Sequence, residues 1–231
     1  MQLKRIKIVY ILLMVLPLIA VVAALGTMPD QIPAHFGLSG VVNRYGSKYE
    51  ALIFPIVTLA FGILIIVMGR ITSKVKKFGE SNEKMTLLVG LICLLFMDLM
   101  NFYFLFIEIT GMKSIYGGGA SGIKLIFGAM GVMCIVFGAV MPRTKMNSTF
   151  GLRTKWSMKD EETWKKSQKF GGITFAVAGA LMIFVSIVTE GKYCMLWSMY
   201  ILIAVSVLDI AYSFIIANYK FEHKDDGDRL Q

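Results

Sequence analysis

The stretch LLVGLICLLFMDLMNFYFLFIEIT, Leu87 to Thr110, is apolar throughout apart from Asp98, Asn101, Glu108 and the closing Thr110. About 20 helical residues, rising 1.5 Å each, cross a hydrocarbon core of roughly 30 Å, so a run of this length reads as a membrane span. It lacks the strict alternation of a barrel strand, and in lipid the other solution that satisfies every backbone N–H and C=O is a helix. Reading outward in the same way finds six such runs: Ile6 to Gly26, Ala51 to Gly69, Met85 to Glu108, Ile123 to Met141, Gly171 to Thr189 and Met195 to Asn218. The expected fold class is all-α, a polytopic integral membrane protein with six transmembrane helices.

Composition points the same way. Of 231 residues, 56% are hydrophobic and 17% charged, and the mean hydropathy is +0.68, whereas a soluble domain carries about 25% charged residues. The net charge of +9 is arranged by side. Of the 24 Lys and Arg, all but Arg44, Lys48, Lys113, Lys124 and Lys192 fall in the amino terminus, the second and fourth connectors and the tail. That asymmetry is the positive-inside pattern. It predicts a multi-pass protein of the bacterial cell membrane with both termini cytoplasmic, and it accounts for the basic charge with the lipid bilayer as partner and no direct nucleic acid. The basic start and apolar middle of the first run also resemble a secretory signal, but the run is longer than a signal core of 7 to 15 residues, so an uncleaved helix is expected.

Three segments carry candidate function. The first connector, TMPDQIPAHFGLSGVVNRYGSKYEA, holds Pro29 and Pro33, which remove donors, and Gly37, Gly40 and Gly46, which permit turns. An ordered outer loop over 27–50 is expected, with Asp30, Pro33, His35, Gly40 and Lys48 as a candidate outer binding surface. A lone His near one Asp is more often a structural hydrogen-bonding pair than a metal site.

The second segment, NSTFGLRTKWSMKDEETWKKSQKFGG, Asn147 to Gly172, is polar and basic between two apolar runs. Ser157, with Asp160 three residues on, has the spacing of a capping box and predicts a short helix starting there. Trp156 and Trp164 suit the headgroup level, where one side of the ring is apolar and the other wet. The segment reads either as an interfacial anchor or as a surface for a cytoplasmic partner, with Asn147, Gly151, Arg153, Trp156 and Trp164 as candidate contacts.

The third set lies inside the spans. At 100° per residue Asp98, Asn101 and Glu108 fall at about 0°, −60° and −80°, one face of a helix. A central Asp costs about 2.5 to 3.5 kcal/mol on insertion scales, so that face must point into the bundle. Asp209 is the other intramembrane acid, and Lys124 is a candidate partner for Glu108. A proton or cation path and a structural hydrogen-bonded network are both open readings. Gly131 and Gly138 on the fourth span, and Gly172, Ala176 and Ala180 on the fifth, are small residues spaced for close helix packing. Cys93, Cys134 and Cys194 suggest neither a disulfide framework nor metal-ligand spacing. No catalytic grouping or nucleotide fingerprint can be assembled, so no enzyme, no metal and no cofactor are expected.

The motif MPDQIPAHFGLSGVVNRYGSK resembles the outer motif of the SdpI family of bacterial membrane immunity proteins, with Asn43 standing where many relatives have Asp. Asn147, Phe150, Gly151, Arg153, Thr154, Trp156, Ser157, Trp164, Ser167, Lys169, Gly171 and Gly172 are similar to the family's cytoplasmic signature, with Gln168 where relatives often have His or Asn. The resemblance implies protection of the bacterial host against a secreted toxic peptide. In signalling members it also implies capture of a transcriptional repressor at the cytoplasmic face. On this basis residues 1–80 form a two-span unit with the outer loop (27–50), and residues 81–231 a four-span unit with the signature loop (142–170). The competing class is a small ion-coupled membrane transporter using Asp98, Glu108 and Asp209.

Overall fold

A computed structural model describes residues 3–37, 39–74, 79–116, 122–147 and 149–228. Among the described residues six helices are long and apolar enough to cross a membrane: α1 (Leu3–Ala24), α2 (Ile53–Ser73), α3 (Gly79–Thr110), α4 (Gly122–Val140), α5 (Glu161–Val188) and α6 (Gly191–Asp228). The multi-pass membrane fold expected from the sequence is the one observed. Residues such as Leu12, Ile71 and Ile187 stand exposed around the bundle, where lipid rather than water is the solvent. The helices alternate in direction. One end of the bundle carries the Lys/Arg-rich segments, hereafter the basic end, and the other carries the first connector.

The helices pack as two groups of three. In the first group Ile6, Tyr10 and Met14 of α1 meet Leu87 and Leu94 of α3, and the Tyr10 hydroxyl donates to Gly62 O of α2 at 3.2 Å. Asn101 Nδ2 of α3 donates to Thr58 Oγ1 of α2 at 2.8 Å. A Lys7–Glu83 ion pair of 2.7 Å ties α1 to α3. In the second group α5 lies between α4 and α6. A Cβ on Gly131 would lie 2.7 Å from Gly179 O, and one on Gly172 would lie 2.7 Å from Gly138 O, so these helices touch backbone to backbone. Gly172 and Ala176 act as the sequence led us to expect. Ala180 does not, since it is exposed and Gly179 takes the contact. α3 packs chiefly on α1 and α2, where Gly62 and Gly90 admit Met14, Ile65 and Tyr10.

The first connector is a hairpin. Strands β1 (Gln31–Phe36) and β2 (Val42–Ser47) pair antiparallel with irregularities at His35, and a 3-10 turn over Lys48–Leu52 leads into α2. The edge of the hairpin is covered by the connector after α3, through Val42 N to Lys113 O at 3.0 Å and Ile115 N to Gly40 O at 2.9 Å. Gly40 has φ +71°, and a Cβ there would enter the Tyr116 ring, so only glycine fits. Thus the outer loop is ordered, as its prolines and glycines imply, but as a small sheet within an otherwise helical chain.

Candidate functional site

At the basic end the chain between α4 and α5 folds back on itself around one side chain. Asn147 Oδ1 accepts from Thr149 N (2.8 Å) and Phe150 N (2.7 Å), and its Nδ2 donates to Lys145 O (2.9 Å) and Phe150 O (3.2 Å). Asparagine mimics a backbone turn in this way. Gly151 follows at φ +107°. Ser157 Oγ donates to Leu152 O at 2.7 Å and accepts from Thr154 N at 2.9 Å. Thr154 Oγ1 meets Ser213 Oγ of α6 at 2.9 Å.

Two local expectations are corrected here. Ser157 does not cap a helix, because its hydroxyl is engaged by Leu152 and Thr154. Asp160 caps instead, with extended backbone and a carboxylate accepting from Glu162 N and Thr163 N. The helix it starts is α5 itself, so among the described residues the expected short helix is the first part of α5 and not a separate element. Trp164 is not at a wet interface either. It is 1% exposed and its Nε1 donates to Thr144 O at 3.0 Å, pinning the segment from below. Trp156 is half-buried, edge-on to Phe214 of α6 with centroids 5.1 Å apart, and Arg153 is exposed. Of the expected contact residues, Asn147, Gly151 and Trp164 build the framework, while Arg153 and Trp156 offer surface.

Beneath this segment lies a cavity of about 470 Å³, walled by Phe137, Phe175 and Ile210 and closed by residues 149–154, with Asp209 in its lining. Asp209 is 1% exposed. Its Oδ1 accepts from Thr174 Oγ1 of α5 at 2.7 Å, and its Oδ2 has no hydrogen-bond partner among the described residues. The cavity therefore offers apolar walls, one unspent carboxylate oxygen and Arg153 at its rim, which is the usual composition of a ligand pocket.

The other intramembrane residues sit apart from this cavity. Asp98 is 5% exposed and neither oxygen has a partner among the described residues; Asn101 Oδ1 is also unpartnered. Both point into the first helix group, as their shared face required. Glu108 is half-buried and is not joined by Lys124, whose Nζ donates to Ile187 O at 3.1 Å. A carbonyl at the end of α5 lies nearer that lysine than the acid on α3.

On the hairpin, His35 Nδ1 and Asn43 Oδ1 are 2.6 Å apart, and Lys48 Nζ meets Asp30 Oδ1 at 2.9 Å. Pro33 is buried beneath them. Arg44 makes two bonds to Glu50, of 3.2 and 2.8 Å, which together with the acid's charge raise the guanidinium pKa above its ordinary value. Among the described residues no three His, Cys, Asp or Glu are grouped to hold a metal ion. Sequence reasoning noted Gln168 only as a departure from the family signature and missed its fully buried bonds to Leu152, and it passed over Thr174, the partner of Asp209. A polar amide in the apolar-going start of a span was the available sign for the first; nothing local marks the second.

Residues 143–217 match the SdpI/YfhL protein family, and residues 12–59 match a domain of unknown function, DUF1648. Over 203 residues the chain is 25% identical to Immunity protein SdpI of Bacillus subtilis (strain 168), covering 87% of this chain and 88% of that protein. No solved structure matches.

Proposed function

We propose, from the premise that through residues 143–217 the chain belongs to the SdpI/YfhL protein family, that it is a membrane immunity protein protecting a bacterial host against a secreted toxic peptide. The observation that carries this reading is the alignment over 87% of the chain with a protein named for immunity. It takes in both the hairpin and the cavity segment. The role is one of binding and not of catalysis. Expression of the chain in a sensitive strain, followed by challenge with the toxic peptide, should restore survival. Equal killing with and without the protein at verified membrane levels overturns the proposal.

The positive-inside distribution supports an orientation with the basic end and both termini in the cytoplasm and the hairpin outside. Reporter fusions at Ser39 and after Gln231 test this; both on the same side defeats it. In that orientation Arg153 and Trp156 are available to a cytoplasmic partner, for which a transcriptional repressor is the candidate. Arg153→Lys keeps the charge but loses the planar fork, so it should lower recovery of a partner on pull-down more than Lys166→Ala, whose residue is paired with Glu162 at 2.8 Å.

A second reading, ion-coupled transport, is favoured by one observation: the buried oxygens of Asp98 and Asp209 that lack partners. Proton or cation flux in proteoliposomes, abolished by Asp98→Asn or Asp209→Asn, would support it, with Glu108 as the third acid. No flux above empty vesicles would remove it.

A further inference from the structure

A second depression, a trough of about 650 Å³, runs along the surface of the bundle between α4 and α5. Its floor exists because Gly138 and Gly172 lack side chains and the two backbones touch. Ile135, Pro142, Ile173 and Val177 form its sides. Ile173 is 57% and Val177 52% exposed, on a helix that crosses the bilayer, so the trough opens to lipid.

At its basic end stand Lys165 and Lys169, one turn apart on α5 and both exposed. Neither makes an ion pair among the described residues, although Lys166 between them is paired with Glu162. The nearby Arg143 is occupied in donating to Ala139 O at 2.8 Å. From Lys165 to Val177 the helix rises about 18 Å at 1.5 Å per residue. That spans the roughly 15 Å of one hydrocarbon leaflet with its headgroup boundary. Charge and apolar surface therefore lie in the order that a phospholipid presents them.

We propose that this trough is a binding site for an anionic phospholipid of the leaflet at the basic end, its phosphate held by Lys165 and Lys169 and an acyl chain laid over Gly138 and Gly172. The commitment to an anionic lipid follows from the two unpaired cations. A zwitterionic headgroup brings its own ammonium, which competes with the lysines for the phosphate, whereas a net negative headgroup gains from both. The site is independent of the proposed protection against a peptide, and its test does not use that activity.

The full-length protein is purified into nanodiscs of phosphatidylethanolamine with a minor fraction of cardiolipin, and lipid retained after release into detergent is read by native mass spectrometry. Cardiolipin should be retained in preference to phosphatidylethanolamine. A basic residue near the surface contributes about a factor of five to affinity, so Lys165→Gln with Lys169→Gln should weaken retention about 25-fold. Val177→Trp fills the trough without altering charge and should also release the lipid. Lys166→Gln should leave retention unchanged. Equal retention by the wild type and the double lysine variant overturns the proposal. So does an equal loss in Lys166→Gln, which would mean diffuse attraction to a basic surface. If Val177→Trp instead converts a dimer to a monomer with cardiolipin still bound, the trough is an interface between copies and the proposal falls. All these positions are exposed, and the lysine variants decide the matter if Val177→Trp fails to fold.

Discussion

Gln168 and Leu152 form a closed pair: Gln168 Oε1 accepts from Leu152 N at 3.0 Å and its Nε2 donates to Leu152 O at 2.9 Å. The side-chain amide thus replaces the strand that an extended residue would otherwise need, and it does so fully buried. Leaving a buried backbone group without its partner costs about 1–3 kcal/mol. Gln168→Leu should therefore lower stability in detergent by about that amount and speed hydrogen exchange at the Leu152 amide. Unchanged exchange there would mean that other contacts hold the segment.

Gly151 is tied to the same pair. With φ +107° it lies where L side chains are rarely found, and a Cβ would run into Gln168 Oε1. Gly151→Ala should cost about 1–3 kcal/mol. Gly26→Ala, where a Cβ meets nothing within 4 Å, should be near neutral. Thermal unfolding of the two variants checks the contrast, and equal melting temperatures would show that the segment yields without cost.

Asp98 is a buried carboxyl with no partner among the described residues. Removing an unsatisfied buried polar group relieves its desolvation penalty of about 1–3 kcal/mol, so Asp98→Leu should raise stability rather than lower it. Loss of protection in the same variant would mark the acid as retained for function at the expense of stability. Asn101→Ala should behave in the opposite way, losing about 0.5–1.5 kcal/mol with its bond to Thr58. Urea or thermal unfolding alongside a survival assay separates the two.

The Asp30–Lys48 pair is on the surface, with the Asp30 side chain 92% exposed, and solvent screening leaves such exposed pairs little weight in stability. Replacing Asp30, His35 and Lys48 together by Ala should leave the protein folded in the membrane. A fall in protection at matched levels would then report contact with the toxic peptide through the hairpin. Survival equal to wild type would leave these residues as fasteners of the sheet.

The six spans were legible in the sequence because crossing lipid is a constraint on each helix by itself: enough apolar length, every backbone bond made within the segment. Asp98 and Asn101 could be placed on an inward face for the same reason, since helical period alone sets their angle. Readings failed where two local solutions competed. Ser157 and Asp160 both have capping chemistry, and the choice fell to Asp160 because Leu152 and Thr154 had already engaged the serine hydroxyl. Trp164 has a ring suited to an interface, but the carbonyl of Thr144 gave its N–H a buried partner.

What only the tertiary structure decided are the relations between elements far apart in sequence. Thr174 lies against one oxygen of Asp209, Lys124 turns to Ile187 rather than Glu108, and α3 joins the first helix group. The cavity beneath residues 149–154 is assembled jointly by α4, α5, α6 and that segment. Each depends on which faces meet and how closely. In a membrane every apolar face is equally soluble, so hydropathy fixes that a helix crosses the bilayer; shape and the few polar groups choose its neighbours.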